Sequence, residues 1–480
     1  MSMDDSNAVN KRHWRMKRER IRGIVELQNK HKTTEGALLM TKHNTKEFGG
    51  QRLDESFSLK HTTPYGGANL LWDYAESAVG LSRLFVNSLG FSKAANAKYP
   101  LHQALTVLVL ASAIGLDRIF HLAGIEDDPL FLRKSGWTKL PDYTTFYNDL
   151  NRFDEAAKIE PLRVVLTAVA KRTQRKKCIL DFDSTAETVY GNQEGAAVGY
   201  NPNKHGRKSY HPLMVFDGPS QALVNAMLRP GNAASSDSFV GLLHGTLALF
   251  GRERVDSLRM DAGFAGDDVY AEAEEHTVLG YVAKSKIYKD LAEHARCFPW
   301  RRVECTDVII EVKSFTHQAK NWRKTRRVVM VRYRPVETVT TGQGKLFDDL
   351  DWQTAAMVTN FDWAEEDVWH FYNQRCSQEN YIKEMKDGFG MDKIPGGDFY
   401  PNYAMMLLKG ISYNLVLGLK KEIAAGRFER LTVVRLRREL FWVVGKIVSH
   451  AGRLALKLSA NYRAQADYLC MRRTLDALAT

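Results

Sequence analysis

At Lys177 the spacing of apolar residues changes from helical to strand-like. That change excludes an all-helical chain and an all-β chain together. Before it, LLWDYAESAVGLSRLFVNSLGF and HQALTVLVLASAIGLDRIFHLAGI read as amphipathic helices, and Pro141 and Asp142 open a further one. After it, KCILDFDST, YHPLMVF and QALVNAMLRPGN read as three strands, with a Gly-rich polar stretch at 191–206. Ser235 to Phe250 is helical, RVDSLRMDAGF is a strand, a helix begins near Gly266, and TVLGYVAKSK is a strand. The order β-β-β-α-β-α-β predicts a mixed sheet with helices on its faces.

Charge divides the chain further. Residues 1–32 hold nine basic and four acidic side chains, and residues 420–480 hold thirteen and five. Of the net charge of +12, these two ends account for more than the whole. Basic ends suit a polyanion such as double-stranded DNA, although two solvated basic helices have the same composition. Segment 281–335 carries fourteen basic and five acidic residues, with Trp300 and Trp322 among the cations. The longest strongly apolar stretch, Ala104–Leu116, is thirteen residues, short of the roughly 20 that span a membrane. Five scattered cysteines without a CxxC pair point to a reduced, cytoplasmic setting.

The predicted organisation is a basic arm and linker (1–66), an N-terminal helical domain (67–175), the first part of a catalytic core (176–280), a basic β-rich insertion (281–355), the rest of that core (356–400) and basic C-terminal helices (401–480). The N-terminal helices read equally as a helix-turn-helix DNA reader or as a bundle bracing the core.

The chemistry lies in acids at strand ends. Asp181 and Asp183 share one face of their strand, and Asp261 closes a later strand. Ligands sit where strands end and irregular backbone begins. A helix over 362–387, opened by an Asp362–Glu365 capping box and closed by Gly388, would place Tyr372, Arg375, Glu379 and Lys386 within about a 60° stripe. That stripe is also what an exposed Arg375–Glu379 pair requires. Three carboxylates from two strands and one helix can hold two Mg²⁺ ions, the arrangement used for phosphoryl transfer. His294, Cys297, Cys305 and His317 have a zinc-like composition but irregular spacing. TGQGKL lacks the residues of a phosphate loop.

Y-x2-R-x3-E-x6-K, with DST and DAGF upstream, resembles the DDE transposases of bacterial insertion sequences that carry the YREK signature. DSTAETVYGNQEGAAVGYNPNKHGRKSYHPL resembles the start of the catalytic domain in one branch of them. The resemblance implies an RNase H-like core and transposition: cutting element ends and joining the 3′-OH ends to target DNA. It implies Asp183, Asp261 and Glu379 as ligands of Mg²⁺ or Mn²⁺, with Asp181 an alternative to Asp183. It further implies phosphate contacts by Tyr372, Arg375 and Lys386, no small-molecule cofactor, and a homodimer on DNA at the bacterial nucleoid. In that family a β-rich insertion touches DNA, so Trp300 or Trp322 would stack on a displaced base; a core role for either is the alternative. A non-catalytic DNA binder and an RNase H-like nuclease without strand joining are the rival functions.

Overall fold

The computed structural model describes residues 55–174, 176–202, 204–303, 308–335, 352–424 and 426–478. The predicted basic arm at 1–32 lies outside them. In chain order the strands are β1 (Thr62–Thr63), β2 (Cys178–Ser184), β3 (Glu187–Thr188), β4 (Ala197–Val198), β5 (Lys208–Tyr210), β6 (Leu213–Asp217), β7 (Leu223–Met227), β8 (Val255–Met260), β9 (Gly280–Ser285), β10 (Arg301–Val303), β11 (Val308–His317), β12 (Arg326–Pro335), β13 (Gln353–Thr359), β14 (Gly445–His450) and β15 (Arg453–Leu458). Nine of them form one mixed sheet in the order β10-β11-β12-β13-β9-β8-β2-β6-β7. Within it β2, β8 and β9 run parallel, and the other pairs are antiparallel. The architecture is therefore mixed α/β, as the periodicity predicts.

The sheet is covered on both faces because its strands alternate. Leu213 and Val215 of β6 join one core with Leu180 and Phe182 of β2 and with Phe239, Leu242 and Leu243 of the helix Phe239–Phe250. Met214 and Phe216 point the other way, into a core with the helices Ala156–Lys171 and Phe399–Glu422. This second core also takes in the helices before residue 171, from Leu70 to Leu166. The alternation places Asp181 and Asp183 on the face opposite Leu180 and Phe182.

Several elements differ from the sequence expectation. In the basic segment 281–335, whose pairing the sequence leaves open, β10, β11 and β12 extend the sheet that carries the acids, with β13 joining them to β9. The C-terminal segment is not wholly helical. β14 and β15 pair as a hairpin with His450 opposite Arg453, between the long helices Phe399–Glu422 and Gln465–Leu478. The Gly-rich stretch carries β4, which joins its flanking strands in a small three-stranded sheet, β3-β5-β4. No single helix among the described residues is long and apolar enough to cross a membrane.

The predicted long helix is two. Glu365–Asn373 and Gln378–Phe389 are separated by a 3₁₀ turn at Gln374–Ser377. Asp362 does not cap the first helix, whose N-cap position is Ala364. The Glu365 carboxylate instead accepts from Ser314 Oγ at 2.6 Å and Arg301 Nη2 at 2.7 Å. Gly388 lies inside the second helix, where a Cβ would stand 2.3 Å from Val433 Cγ1. The left-handed residue is Gly390, with φ +63°.

Candidate active site

The last registered pair between the parallel strands β2 and β8 is Phe182 with Met260. Asp183 and Asp261 each follow by one residue, so the two acids leave neighbouring strands side by side, at a spacing of about 4.8 Å between strands. Both carboxylates fold back on local backbone: Asp183 Oδ1 accepts from the Ser184 N–H and Asp261 Oδ1 from the Gly263 N–H, each at 2.8 Å. Short polar side chains at a strand end do this readily, and it leaves their second oxygens available.

Glu379 lies in the first turn of Gln378–Phe389 and is exposed. Its charge reaches Asp183: burial pushes the Asp183 carboxyl up to about 6, with Asp261 and Glu379 adding to that and Arg375 opposing it. Three mutually repelling carboxylates are a site that gains from a cation. Their oxygens are the hard donors a divalent ion such as Mg²⁺ takes, so the donor set fits. The cage is open: no three His, Cys, Asp or Glu side chains among the described residues are gathered closely enough to hold a metal ion as they stand.

Arg375 sits in the 3₁₀ turn, and this explains the break. Its Nη2 donates to the Phe182 carbonyl at 2.8 Å and lies 3.5 Å from Asp183 Oδ1. Burial works against its charge, but Asp183, Tyr372, Asp261 and Asp181 outweigh that and raise its pKa. Arg375 is therefore bound into the first acid strand and not displayed as half of an exposed helix pair. Tyr372 is half-buried and packs against the core formed by Val282, Val329 and Met357. Lys386 Nζ donates to Thr185 Oγ1 and to the Ala186 carbonyl, holding the loop that follows Asp183.

Asp181, the alternative ligand, is committed elsewhere. It is 1% exposed, and Arg259, 2% exposed, meets it with two parallel bonds: Nε to Oδ1 at 2.6 Å and Nη2 to Oδ2 at 2.7 Å. Arg259 Nη1 also donates to the Phe371 carbonyl at 2.9 Å. Asp181 and Arg259 are registered opposite each other, one same-face step behind Asp183 and Asp261. One buried guanidinium thus ties together both acid strands and the helix preceding Arg375. A Cβ on Gly218 would stand 2.1 Å from Arg259 Nη2, so this position has room only for glycine. Sequence reasoning missed Arg259, although an arginine inside the apolar run of LRMDAGF is a signal, since such a charge needs a buried partner.

It also missed Glu187. This fully buried carboxylate has no hydrogen-bond partner for either oxygen among the described residues. Burial pushes it up to about 7 against the pull of Lys386 and Lys409. Burial in turn brings Lys409 down to about 8.

Of the two tryptophans, Trp300 lies between cations of its own sheet, with Lys313 Nζ 4.1 Å and the Arg332 guanidinium 4.7 Å from its ring. Trp322 meets Tyr270 edge-on at 5.6 Å and lines a cleft of about 740 Å³ with Tyr270, Tyr288 and His317. His294 and His317 meet Nδ1 to Nδ1 at 3.1 Å. Cys297 is exposed, and Cys305 lies outside the described residues.

Comparison with known proteins yields a family model, described as transposase DDE domain group 1, that matches residues 48–480. No curated protein matches the chain. Among solved structures, a cryo-EM structure of the piggyBac transposase synaptic complex with hairpin DNA is loosely similar. The likeness covers 87% of this chain and 80% of that one, at 12% identity and a TM-score of 0.39. DDE transposases generally use divalent metal ions, which agrees with the donor chemistry of the acids. With a family match over nearly all of its residues, the chain belongs to the group 1 transposase DDE domains.

Proposed function

We propose that this protein is the transposase of a bacterial insertion sequence, of the YREK-signature group. In this reading it binds the ends of its element, cuts the DNA and joins the freed 3′-OH ends to target DNA. The observation that carries it is the adjacency of Asp183 and Asp261 at the ends of parallel strands, with Glu379 acting electrostatically on the first. The order β7-β6-β2-β8-β9, with three antiparallel strands running into two parallel ones, supports an RNase H-like core.

In this reading Asp183, Asp261 and Glu379 hold Mg²⁺ or Mn²⁺. When bound, the metal supplies Lewis-acid activation of the attacking oxygen and stabilises the leaving one. The chain's own residues set the geometry. Arg259 and Asp181 fix the two acid strands against each other, Arg375 holds the backbone beside Asp183, and Lys386 holds the loop after it. In this reading Arg375 and Lys386, with Tyr372, also meet the phosphates of the element end, as their chemistry suits. Trp322, which lines an open cleft with the Arg326 guanidinium 5.5 Å from its ring, or Trp300, between Lys313 and Arg332, stacks on a displaced base. A homodimer on DNA and action at the cytoplasmic nucleoid complete the proposal.

The test is cleavage of a duplex ending in the inverted repeat that flanks the gene. Asp183→Ala, Asp261→Ala and Glu379→Ala should each abolish Mg²⁺-dependent cleavage while leaving duplex binding nearly intact. Cleavage retained by Asp183→Ala would overturn the assignment. Cutting without joining by the unmodified protein would reduce the function to that of a nuclease.

A further inference from the structure

The stretch between the first acid strand and β6 is more ordered than its Gly-rich, polar sequence suggests. β5 lies at the centre of the small sheet, with Glu187 opposite Tyr210 and Thr188 opposite Ser209 on one side, and Ala197 opposite Ser209 and Val198 opposite Lys208 on the other. The Val189 N–H donates to the Lys208 carbonyl at 3.0 Å, carrying the first pairing one step further. Continued by one or two residues, these registers bring Tyr190 and Tyr200 to the same end of the sheet, on either side of the turn that leads into β5. That turn is Lys204, His205, Gly206 and Arg207, with Gly206 at φ +73°.

The backbone of the sheet is firmly fastened, including at both chain neighbours of Tyr200. Tyr210 Oη donates to the Glu194 carbonyl at 2.6 Å, and Asn201 Nδ2 donates to Thr188 Oγ1 at 2.8 Å. A Cβ on Gly199 would stand 1.9 Å from the Gly231 carbonyl oxygen, so two backbones touch there. The side chains around the turn are exposed. Tyr190 is 77% and Tyr200 74% exposed. Lys204, His205, Arg207 and Lys208 are all exposed, and none of the three cations forms an ion pair among the described residues. Lys208 Nζ has only the neutral Asn192 Oδ1, at 3.4 Å. The two carboxylates of this stretch do not neutralise them: Glu187 is buried, and Glu194 Oε2 accepts from the Phe399 N–H. Single exposed aromatics are ordinary. Two of them bracketing a turn with three cations that face no carboxylate, on a fastened sheet, are a recognition surface prepared in advance.

We infer that this small sheet is a second DNA-contacting surface beside the acids: Lys204, Arg207 and Lys208 hold backbone phosphates, and Tyr190 and Tyr200 stack on unpaired bases. The inference rests on the transposase reading and adds where, and in what form, the strand is held. Continued, the registers set Tyr190 opposite Arg207 and Tyr200 opposite Gly206, so the two rings leave opposite faces of the sheet's end and meet bases on either side of it. Tyr190 follows Asp183 by seven residues, which span at most about 23 Å at roughly 3.3 Å each. The bases it meets therefore lie within about seven nucleotides of the phosphate at the acids. Strand cutting exposes such bases, and aromatic stacking is indifferent to their sequence.

The experiment compares the full chain with three variants on two probes: a blunt duplex, and the same duplex with a single-stranded flank carrying 2-aminopurine. The unmodified protein should prefer the flanked probe and quench its fluorescence. Tyr190→Ala/Tyr200→Ala should lose the quenching and weaken flanked binding by at least about fivefold, within the range of base stacking, while blunt-duplex binding stays. Tyr190→Phe/Tyr200→Phe should keep both. Lys204→Ala/Arg207→Ala/Lys208→Ala should reduce the slope of log K against log salt by about 0.7–0.9 for each phosphate left unneutralised. An unmodified protein that binds, with variants indistinguishable from it, overturns this inference alone. An unmodified protein that binds neither probe overturns the transposase reading with it.

Discussion

The cations around the acids and the cations at the tip of the small sheet are used in opposite ways. Arg259 is buried and Arg375 nearly so; Arg259 is spent on Asp181 and the Phe371 carbonyl, and Nη2 of Arg375 is held by Asp183 and the Phe182 carbonyl. Lys204, Arg207 and Lys208, a short stretch of chain away, are exposed and without carboxylate partners among the described residues. A buried guanidinium held by oriented bonds fixes geometry, whereas a solvated ammonium attracts a polyanion. Positive charge in this chain thus serves two purposes, and burial separates them.

The largest effect expected from this contrast is on folding. Arg259→Ala strands a buried Asp181 carboxylate and should cost about 3–5 kcal/mol in denaturant unfolding. Lys204→Ala should stay within about 0.5 kcal/mol. Equal costs would erase the distinction.

A second effect tests the buried charges by pH. Glu187 titrates near 7 in the folded chain, above its ordinary 4.5. Between those values the folded state keeps a proton that the unfolded state loses, so this group's contribution to stability falls as pH rises through 7. Glu187→Gln should therefore gain stability relative to the parent above pH 7, by up to about 3.5 kcal/mol at roughly 1.4 per pKa unit. It should match the parent below pH 4.5. Melting curves with the same difference at pH 4 and pH 8 would remove Glu187 from the argument.

A smaller effect is kinetic. Arg375→Ala loses the bond to the Phe182 carbonyl and should slow single-turnover strand cleavage more than about tenfold, or roughly 1.4 kcal/mol. Rates within about twofold of the parent would make Arg375 a packing residue. The smallest effect concerns the basic N-terminal arm. Deleting residues 1–32 should flatten the salt dependence of DNA binding by about 0.9 for each phosphate that the arm neutralises, leaving cleavage at saturating protein intact.

Much of this site is legible in the sequence because its acids sit at strand ends. The runs KCILDFDST and LRMDAGF mark both strands and the residues that follow them. What is not legible depends on partners far along the chain. Helical periodicity carries no sign that the Phe182 carbonyl captures Arg375, 193 residues away, and opens the helix into a 3₁₀ turn. The C-terminal hairpin is a different failure. Leu454, Leu456 and Leu458 alternate with a period of two, and Ala451 and Gly452 take φ +48° and +74°, the two left-handed residues of a tight hairpin turn. The alternation is there to be seen, but only Gly452 announces the turn, and an alanine before it favours helix. The pairing of the basic insertion is hidden for a third reason: composition marks a segment as unusual but does not say which strand it pairs with, and here it extends the acid-bearing sheet.

The most direct measurement of the central claim is anomalous scattering from Mn²⁺ in crystals of the protein bound to a duplex ending in its own inverted repeat. The account predicts metal density between Asp183 and Asp261, within about 2–2.5 Å of their oxygens, with Glu379 completing the site. Density that avoids Asp183, or that settles instead at the His294–His317 pair, would contradict it.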